Sequence, residues 1–352
     1  MRIRTNQISS VTIYDVAKRA GVSTATISRV LSRPEVVASA TRDRVMRVVN
    51  QLGFAPNSNA KNLRKQATAK LLVTVPDLSN PFFSLILQGI EDAAQRNGYS
   101  VLVGDTQHDE KREERYALML RRNEADGLIF LGHRLPEAAA ELIQANRRHP
   151  APIVNGCEFN PRLGVPSVHI DNEKAAYQAM DHLFALGHRR IGVVTGPLVS
   201  PLSRDRLAGV SARAKKEGAS HDFVVMHGDF SIESGAVAAE RLLSSSNRPT
   251  AIFCFNDEMA MGALKIARRL GVSVPEQLSL VGFDNIRFAE HLTPPLTTIS
   301  QPMRRIGEGC VHLLLGILNK EDATEIPASV TLPHQLIIRE STAPAPSKRR
   351  QR

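Results

Sequence analysis

The stretch TIYDVAKRAGVSTATISRVLS, residues 12–32, decides how this chain is read. Thr12 stands where a helix N-cap would, with Asp15 three residues on as an abbreviated capping box. Ile13, Val16, Ala17 and Ala20 follow at helical spacing, and Gly21 breaks the helix. Val22 is apolar, Ser23 can cap a second helix, and Thr24–Leu31 carries Ile27 and Val30 toward Ala17 and Val22. A third amphipathic stretch, Thr41–Leu52, offers Val45, Val48, Val49 and Leu52 to close a small core. Two short helices joined by a tight glycine turn and covered by a third describe a helix-turn-helix. An all-α N-terminal helix-turn-helix domain is expected over residues 10–56.

Charge supports that reading. Residues 1–70 hold thirteen Lys/Arg against three Asp/Glu, so this fifth of the chain carries the whole formal charge of +10, and the remainder balances. Such concentration is the footprint of a polyanion-binding module. A second helix entering the major groove would present its N-terminal residues to base edges. Thr24, Ala25 and Arg29 are therefore the base-reading candidates: a hydroxyl for either base type, a methyl for thymine, a fork for guanine. Ser23, Thr26 and Ser28 suit phosphates, and Thr12 joins the DNA-contacting set.

Beyond Pro56 the run Asn57–Lys65 carries Asn59, Lys61, Asn62, Arg64 and Lys65 around only Ala60 and Leu63, too little to fold alone. It reads either as a flexible basic linker or as a hinge helix over 57–69 that orders on DNA. In the second case Asn57, Ala60 and Arg64 would contact DNA, with Leu63 wedged into the minor groove.

From Leu71 the character changes. Short apolar runs alternate with helical stretches in two successive series: LLVTVPD, VLVGD, GLIFLG and PIVN, then RIGVVTG, FVVMHGD, AIFCF and LSLVGFD. That alternation predicts two doubly wound parallel-sheet lobes over 70–341. Lobe 1 is expected at about 70–170 and 301–330, and lobe 2 at about 171–300 and 331–341. Ligands of such sheets bind beyond the carboxyl ends of the strands, here between the lobes. The residues that close the strands are the pocket candidates. They are Asp77, Asn80, Phe82 and Phe83; His133 and Arg134; Cys157 and Glu158; Arg206; Asn256 and Asp257; Asp284 and Asn285; and Gln301. Amides, carboxylates and an arginine beside aromatics suit a polyhydroxylated ligand with a flat ring. Asp257 is expected to cap a helix, and Phe83 to pack beneath the pocket as much as to line it.

Taken together, TIYDVAKRAGVSTATISRVLS and the Ala60-x-x-Leu63 segment resemble the LacI/GalR family of bacterial regulators, and the likeness continues through RLAG, NDEMAMGAL, GFDN, TTISQP and LIIRES to cover nearly the whole chain. The resemblance implies an α/β periplasmic-binding-protein-like domain behind the helix-turn-helix. It implies intercalation by Leu63 at the centre of a palindromic operator, and a homodimer. It also assigns Arg206, Asn256, Asp284 and Gln301 to the effector. GHRLP, EFNP and GDF narrow the likeness toward a cytidine-responsive member, so a nucleoside-type effector is favoured over a sugar. The loop PLVSPLSRDR lacks the Arg and Thr with which purine-sensing relatives hold their base, which disfavours a purine base.

Other classes find little support. No nucleophile elbow, metal-ligand spacing or P-loop occurs, and His182 and His188 are expected at the surface, so neither an enzyme nor a cofactor is expected. Cys157, Cys254 and Cys310 fit no disulfide framework. MRIRTNQISS has no apolar core of a secretory signal, and no membrane span is present, so the expected place is the cytoplasm. A stand-alone solute-binding protein would need export and loss of the basic segment. The apolar helices Pro81–Asn97 and Met303–Leu318 are candidate dimer faces, unless the core takes them. Residues 342–352 read as a disordered basic tail.

Overall fold

The structure, a computed structural model, describes residues 11–54, 67–145, 150–218, 223–319 and 326–346. The hinge candidates Asn57, Ala60, Leu63 and Arg64 lie outside them. The chain divides into two compact units after Ala67.

In the first unit, helices α1 (Ile13–Ala20), α2 (Thr24–Ser32) and α3 (Ser39–Leu52) form as the caps dictate. Thr12 donates through its amide and hydroxyl to Asp15 Oδ2 at 2.9 and 2.6 Å, and the Asp15 amide returns the bond. These bonds hold the Asp15 carboxyl below its usual range. Gly21 ends α1 at φ 63°, a left-handed position open to glycine without a Cβ penalty. Ser23 caps α2 by accepting from the Thr26 amide at 3.1 Å. Val16, Ala17, Ala20, Ile27, Val30, Val45, Val48 and Val49 are buried together. This is the predicted seam.

The second unit holds two six-stranded sheets. Lobe 1 contains β1 (Lys70–Val75), α4 (Pro81–Arg96), β2 (Ser100–Asp105), α5 (Glu110–Arg121), β3 (Gly127–Phe130), α6 (Glu137–Ala145), β4 (Ile153–Gly156) and β5 (Ser167–Ile170). Lobe 2 contains α7 (Asn172–Ala185), β6 (Ile191–Thr195), α8 (Pro201–Lys216), β7 (Phe223–His227), α9 (Ile232–Leu243), β8 (Ala251–Cys254), α10 (Asp257–Arg269), β9 (Ser279–Asp284) and β10 (Thr297–Ser300). Helix α11 (Met303–Leu318) and β11 (Ser329–Leu332) return to lobe 1, and β12 (Gln335–Ile337) to lobe 2. The sheet orders are β2-β1-β3-β4-β5-β11 and β7-β6-β8-β9-β10-β12, all parallel except the β10–β12 pair. Central strands such as β3 and β9 are buried at every residue, as sheets covered by helices on both faces require.

Three expectations need correction. Residues 329–332 pair with β5, so the last passage to lobe 2 falls after Leu332 rather than at 330. Helices α4 and α11, the candidate dimer faces, pack on each other along one side of each, which excludes neither of the roles expected of them. A Cβ on Gly89 would strike the Arg304 carbonyl, and one on Gly307 the Ile86 carbonyl. The ordered chain also runs past 341. Ala343 accepts from His188 Nε2 at 3.0 Å and donates to Ser279 Oγ at 3.0 Å, while the Ala345 amide donates to the Leu186 carbonyl at 2.8 Å. His188, expected at the surface, is fully buried under this segment and also bonds Thr250 and Ser279. Burial holds its imidazole neutral, below the usual range.

Candidate functional site

Both sheets end at one cleft, which encloses about 290 Å³, near the lower end of small-molecule sites. Asn80, Phe82, Phe83, His133, Glu158, Arg206, Asn256, Asp284 and Gln301 all line it, with Asp77 and Cys157. Three of the pocket candidates do not line it: Asp257, Asn285 and Arg134. The Arg134 guanidinium turns away to Glu113 (Nε to Oε2, 3.0 Å) and Glu110 (NH1 to Oε1, 2.6 Å). His133 and Arg134 both stand in the loop beyond β3, where His133 faces the cleft and Arg134 does not.

The lobe 2 wall is built around Arg206, which α8 projects inward. Arg206 is 3% exposed. Its Nε donates to Asn172 Oδ1 at 2.9 Å, NH1 donates to the Phe255 carbonyl, and the guanidinium lies 3.5 Å over the Phe283 ring. NH2 stands 3.9 Å from Asp284 Oδ1, which also accepts from Gln301 Nε2 at 2.7 Å. Burial brings the guanidinium down to about 10, against the pull of Asp284, so it stays charged at neutral pH. Burial raises the Asp284 carboxyl to about 7 although Arg206 and Gln301 oppose it. Asp284 also holds φ 110°, a strained value for a side-chain-bearing residue.

Asn256 is committed twice: its Oδ1 caps α10 at the Met259 amide (2.9 Å), and its Nδ2 donates to the Phe230 carbonyl (2.8 Å). Asn256 is therefore the cap, not Asp257. The Asp257 carboxylate instead ties α10 to the turn after β9 and to β10, accepting from the Ile286 amide and Thr298 hydroxyl at 2.8 and 2.6 Å. Asn285 lies outside the cleft and bonds Ser300 and Arg339. Phe230 lines the cleft at φ 73°, its ring lying where a Cβ on Gly196 would be.

On the lobe 1 side, Asn80 caps α4 through its Oδ1 (Phe82 amide, 2.9 Å), and the Phe82 and Phe83 rings meet edge to face at 5.1 Å. Phe82 is buried and Phe83 half-buried, and both line the cleft. Glu158 reaches across to lobe 2, accepting from Ser200 Oγ at 2.9 Å and the Leu202 amide at 3.3 Å. It thus caps α8, whose own N-cap side chain makes no cap bond. Burial pushes its carboxyl up to about 7. Burial and then the Arg134 charge lower the His133 imidazole, so it is neutral at pH 7.

Sequence reasoning missed His108, Asp229, Phe230 and Ser231, which line the cleft after β2 and β7. The strand-end rule, applied to VLVGD and FVVMHGD as it was to the other strands, finds all four. In the first unit, Ala25, Ser28 and Arg29 are exposed on α2 and Thr24 and Thr26 half-exposed. Ser23 and Thr26 hydroxyls bond each other at 3.0 Å, and Thr12 is engaged by Asp15, so these three serve the helix ends as well. Tyr14, 74% exposed on α1, is a further aromatic that the sequence reading passed over. Among the described residues no His/Cys/Asp/Glu group could hold a metal ion, and no helix is long and apolar enough to cross a membrane.

Comparison with known proteins agrees with this geometry. Residues 12–57 match the model for bacterial regulatory proteins of the lacI family, and residues 180–342 a periplasmic binding protein-like domain. The chain is 41% identical to the HTH-type transcriptional repressor CytR of Escherichia coli (strain K12), over 97% of this chain and 98% of that one. It is 35% identical to the catabolite control protein A of Priestia megaterium, over 95% and 99%. Among solved structures, the lac repressor dimer bound to operator and the anti-inducer ONPF superposes with a TM-score of 0.85 at 28% identity, covering 95% of this chain and all of that one. A CelR–cellobiose complex superposes with a TM-score of 0.70 at 31% identity, over 94% and 99%.

Proposed function

The chain belongs to the LacI family of bacterial regulatory proteins and is a DNA-binding transcription regulator, not an enzyme; from that premise we propose that it is a cytoplasmic repressor controlled by a nucleoside in the interlobe cleft. Two protomers bind a palindromic operator, each reading a half-site with Thr24, Ala25 and Arg29. Ser23, Thr26, Ser28 and Thr12 serve the backbone, and the segment of Asn57, Ala60, Leu63 and Arg64 enters the minor groove. One helix-turn-helix buries too little surface for a specific site, which supports the dimer.

The observation that carries the effector reading is the make-up of the cleft. Aromatic rings stand on both lobes, Phe82 and Phe83 against Phe230, beside Asp284, Arg206 and Gln301. Rings suit the face of a base and the polar group suits the hydroxyls of a ribose. The likeness to CytR supports the same choice, cytidine before others. A ligand alters DNA affinity only by favouring one arrangement of the lobes. Closure on the nucleoside turns lobe 1, from which the hinge segment departs, and withdraws Leu63.

A thermal-shift panel of cytidine, uridine, adenosine, ribose and cellobiose tests this, with each hit titrated against operator DNA. Cytidine is expected to raise the Tm and weaken operator binding, and Leu63→Ala to weaken it at least tenfold without effector. A shift from cellobiose or ribose alone removes the nucleoside reading, and an operator affinity indifferent to the bound ligand removes the switch.

A further inference from the structure

Taking the cleft as the effector site, as just argued, its two walls differ in which groups are free to meet a ligand. On lobe 2, Asn256 is fully engaged and Arg206, Asp284 and Gln301 bond among themselves and to the framework. On lobe 1, neither the His108 nor the His133 imidazole has a hydrogen-bond partner among the described residues. A ligand that biases the lobes must grip both, so these imidazoles matter.

His108 stands in a backbone that is hard to hold. Gln107 and His108 are consecutive non-glycine residues at φ 51° and 56°. The left-handed region is unfavourable for side-chain-bearing residues, because it brings Cβ too close to the following carbonyl oxygen. The turn is held on three sides. The Asp109 amide donates to the Thr106 carbonyl at 2.9 Å, Thr106 Oγ1 donates to the Val75 carbonyl at 3.3 Å, and Gln107 Nε2 donates to Asp105 Oδ2 at 2.9 Å. Arg134 supplies the remaining hold. With Nε on Glu113 and NH1 on Glu110, its NH2 donates to the His108 carbonyl at 2.7 Å and, at 3.3 Å, to Glu113 Oε1. The planar fork aims all four bonds at once, which a lysine could not do.

We infer that Arg134 is a positioning residue that holds the 107–108 turn in its left-handed form, and that the turn sets His108 beside His133 as lobe 1's hydrogen-bonding contact for hydroxyls or a base edge of the effector. A neutral imidazole donates from one nitrogen and accepts at the other, which matches either partner. His133 is held neutral by burial and by the adjacent Arg134 charge. The arginine is thus one step removed from the ligand.

The test uses the full chain with cytidine in isothermal titration, comparing His108→Ala, Arg134→Gln and the double variant. Each single change is expected to weaken binding about tenfold, and the double by no more than twofold beyond the worse single. Gln107→Gly added to Arg134→Gln should recover at least threefold, because glycine adopts the left-handed region freely. A purely structural role for Arg134 would give no such rescue. Hydrogen exchange reads the turn without ligand: the Asp109 amide should exchange at least tenfold faster in Arg134→Gln. Additive losses, absent rescue or unchanged exchange overturn the inference. A wild-type chain that ignores cytidine while Arg134→Gln still speeds exchange overturns the nucleoside reading and upholds the turn's dependence on Arg134.

Discussion

The two lobes share one plan and use it differently. Each winds its first five strands in the order second, first, third, fourth, fifth, and each takes a sixth strand from the end of the chain. Lobe 1 receives that strand parallel, and lobe 2 receives it antiparallel and then fastens residues 341–345 beneath it. At the cleft the contrast is chemical. Lobe 2 presents a prebuilt network in which Arg206, Asp284 and Gln301 engage one another. Lobe 1, where Glu158 and Asp77 are bonded, presents His108 and His133, whose imidazoles have no partner among the described residues. A preorganised wall sets the pose of a ligand with little ordering cost, and an uncommitted wall can answer to its presence. Equal topology therefore does not mean equal roles.

The largest effect should come from cutting the lobe 2 network at its centre. Arg206→Met leaves Asp284 buried without its counter-charge and strips Asn172 and the Phe255 carbonyl of their donor. Removing one partner of a buried pair costs about 3–5 kcal/mol. We expect a fall in Tm of the second unit and loss of effector binding at every concentration tested. Arg206→Lys should fall between, because it keeps charge but loses the fork. If Arg206→Met unfolds at the wild-type temperature, lobe 2 is not the prebuilt half.

Glu158 ties the halves, and pH is the lever on it. Burial raises its carboxyl from 4.5 to about 7. Between those values the folded chain keeps a proton that the unfolded chain has released, so folding binds protons. The contribution to stability is therefore fully present below about pH 4.5 and is lost as pH rises to about 7. The slope is about 1.4 kcal/mol per pH unit, or about 3 kcal/mol across the window. Glu158→Gln lacks this loss, and its amide oxygen can still accept from Ser200 or Leu202. Relative to wild type, the Glu158→Gln Tm should climb from pH 5 to pH 7 and level off above it. A pH-independent difference would mean that Glu158 titrates as an ordinary exposed carboxyl and does not bridge the lobes under cover.

How much of this was legible in the sequence follows the range of the forces involved. The helix-turn-helix was readable because capping and 3.6-residue periodicity are local: Thr12, Gly21 and Ser23 act within four residues of themselves. Helix α11 spans Met303–Leu318, the bounds its apolar run predicted. Strands β10 and β11 escaped because four-residue runs such as TTIS become strands only by pairing with β9 and β5, far away in the chain. In the cleft, Arg206, Asp284 and Gln301 came from the strand-end rule joined to the family likeness. Arg134 misled because it lies in the loop beyond β3, where strand alternation no longer says which side a side chain takes. Phe230 owes its place to Gly196 and Asn256, neither of which is near it in sequence.

The smallest effect asks most of the comparison, because it must separate a fold role from a ligand role within one residue of lobe 1. Asn80 uses its Oδ1 to cap α4, while its Nδ2 has no described partner and lines the cleft. Asn80→Ser keeps a side-chain oxygen for the cap and deletes the amide nitrogen, so stability should stay within about 0.5 kcal/mol, since Ser and Asn cap about equally. Asn80→Ala deletes both and should cost about 1 kcal/mol. If lobe 1 answers to the ligand through uncommitted groups, both variants weaken cytidine binding by a similar few-fold, although only one of them destabilises the fold. Titration beside a denaturation curve for each variant separates the cases. Should Asn80→Ser bind as wild type while Asn80→Ala does not, Asn80 belongs to the framework, and the open half of the cleft narrows to its two imidazoles.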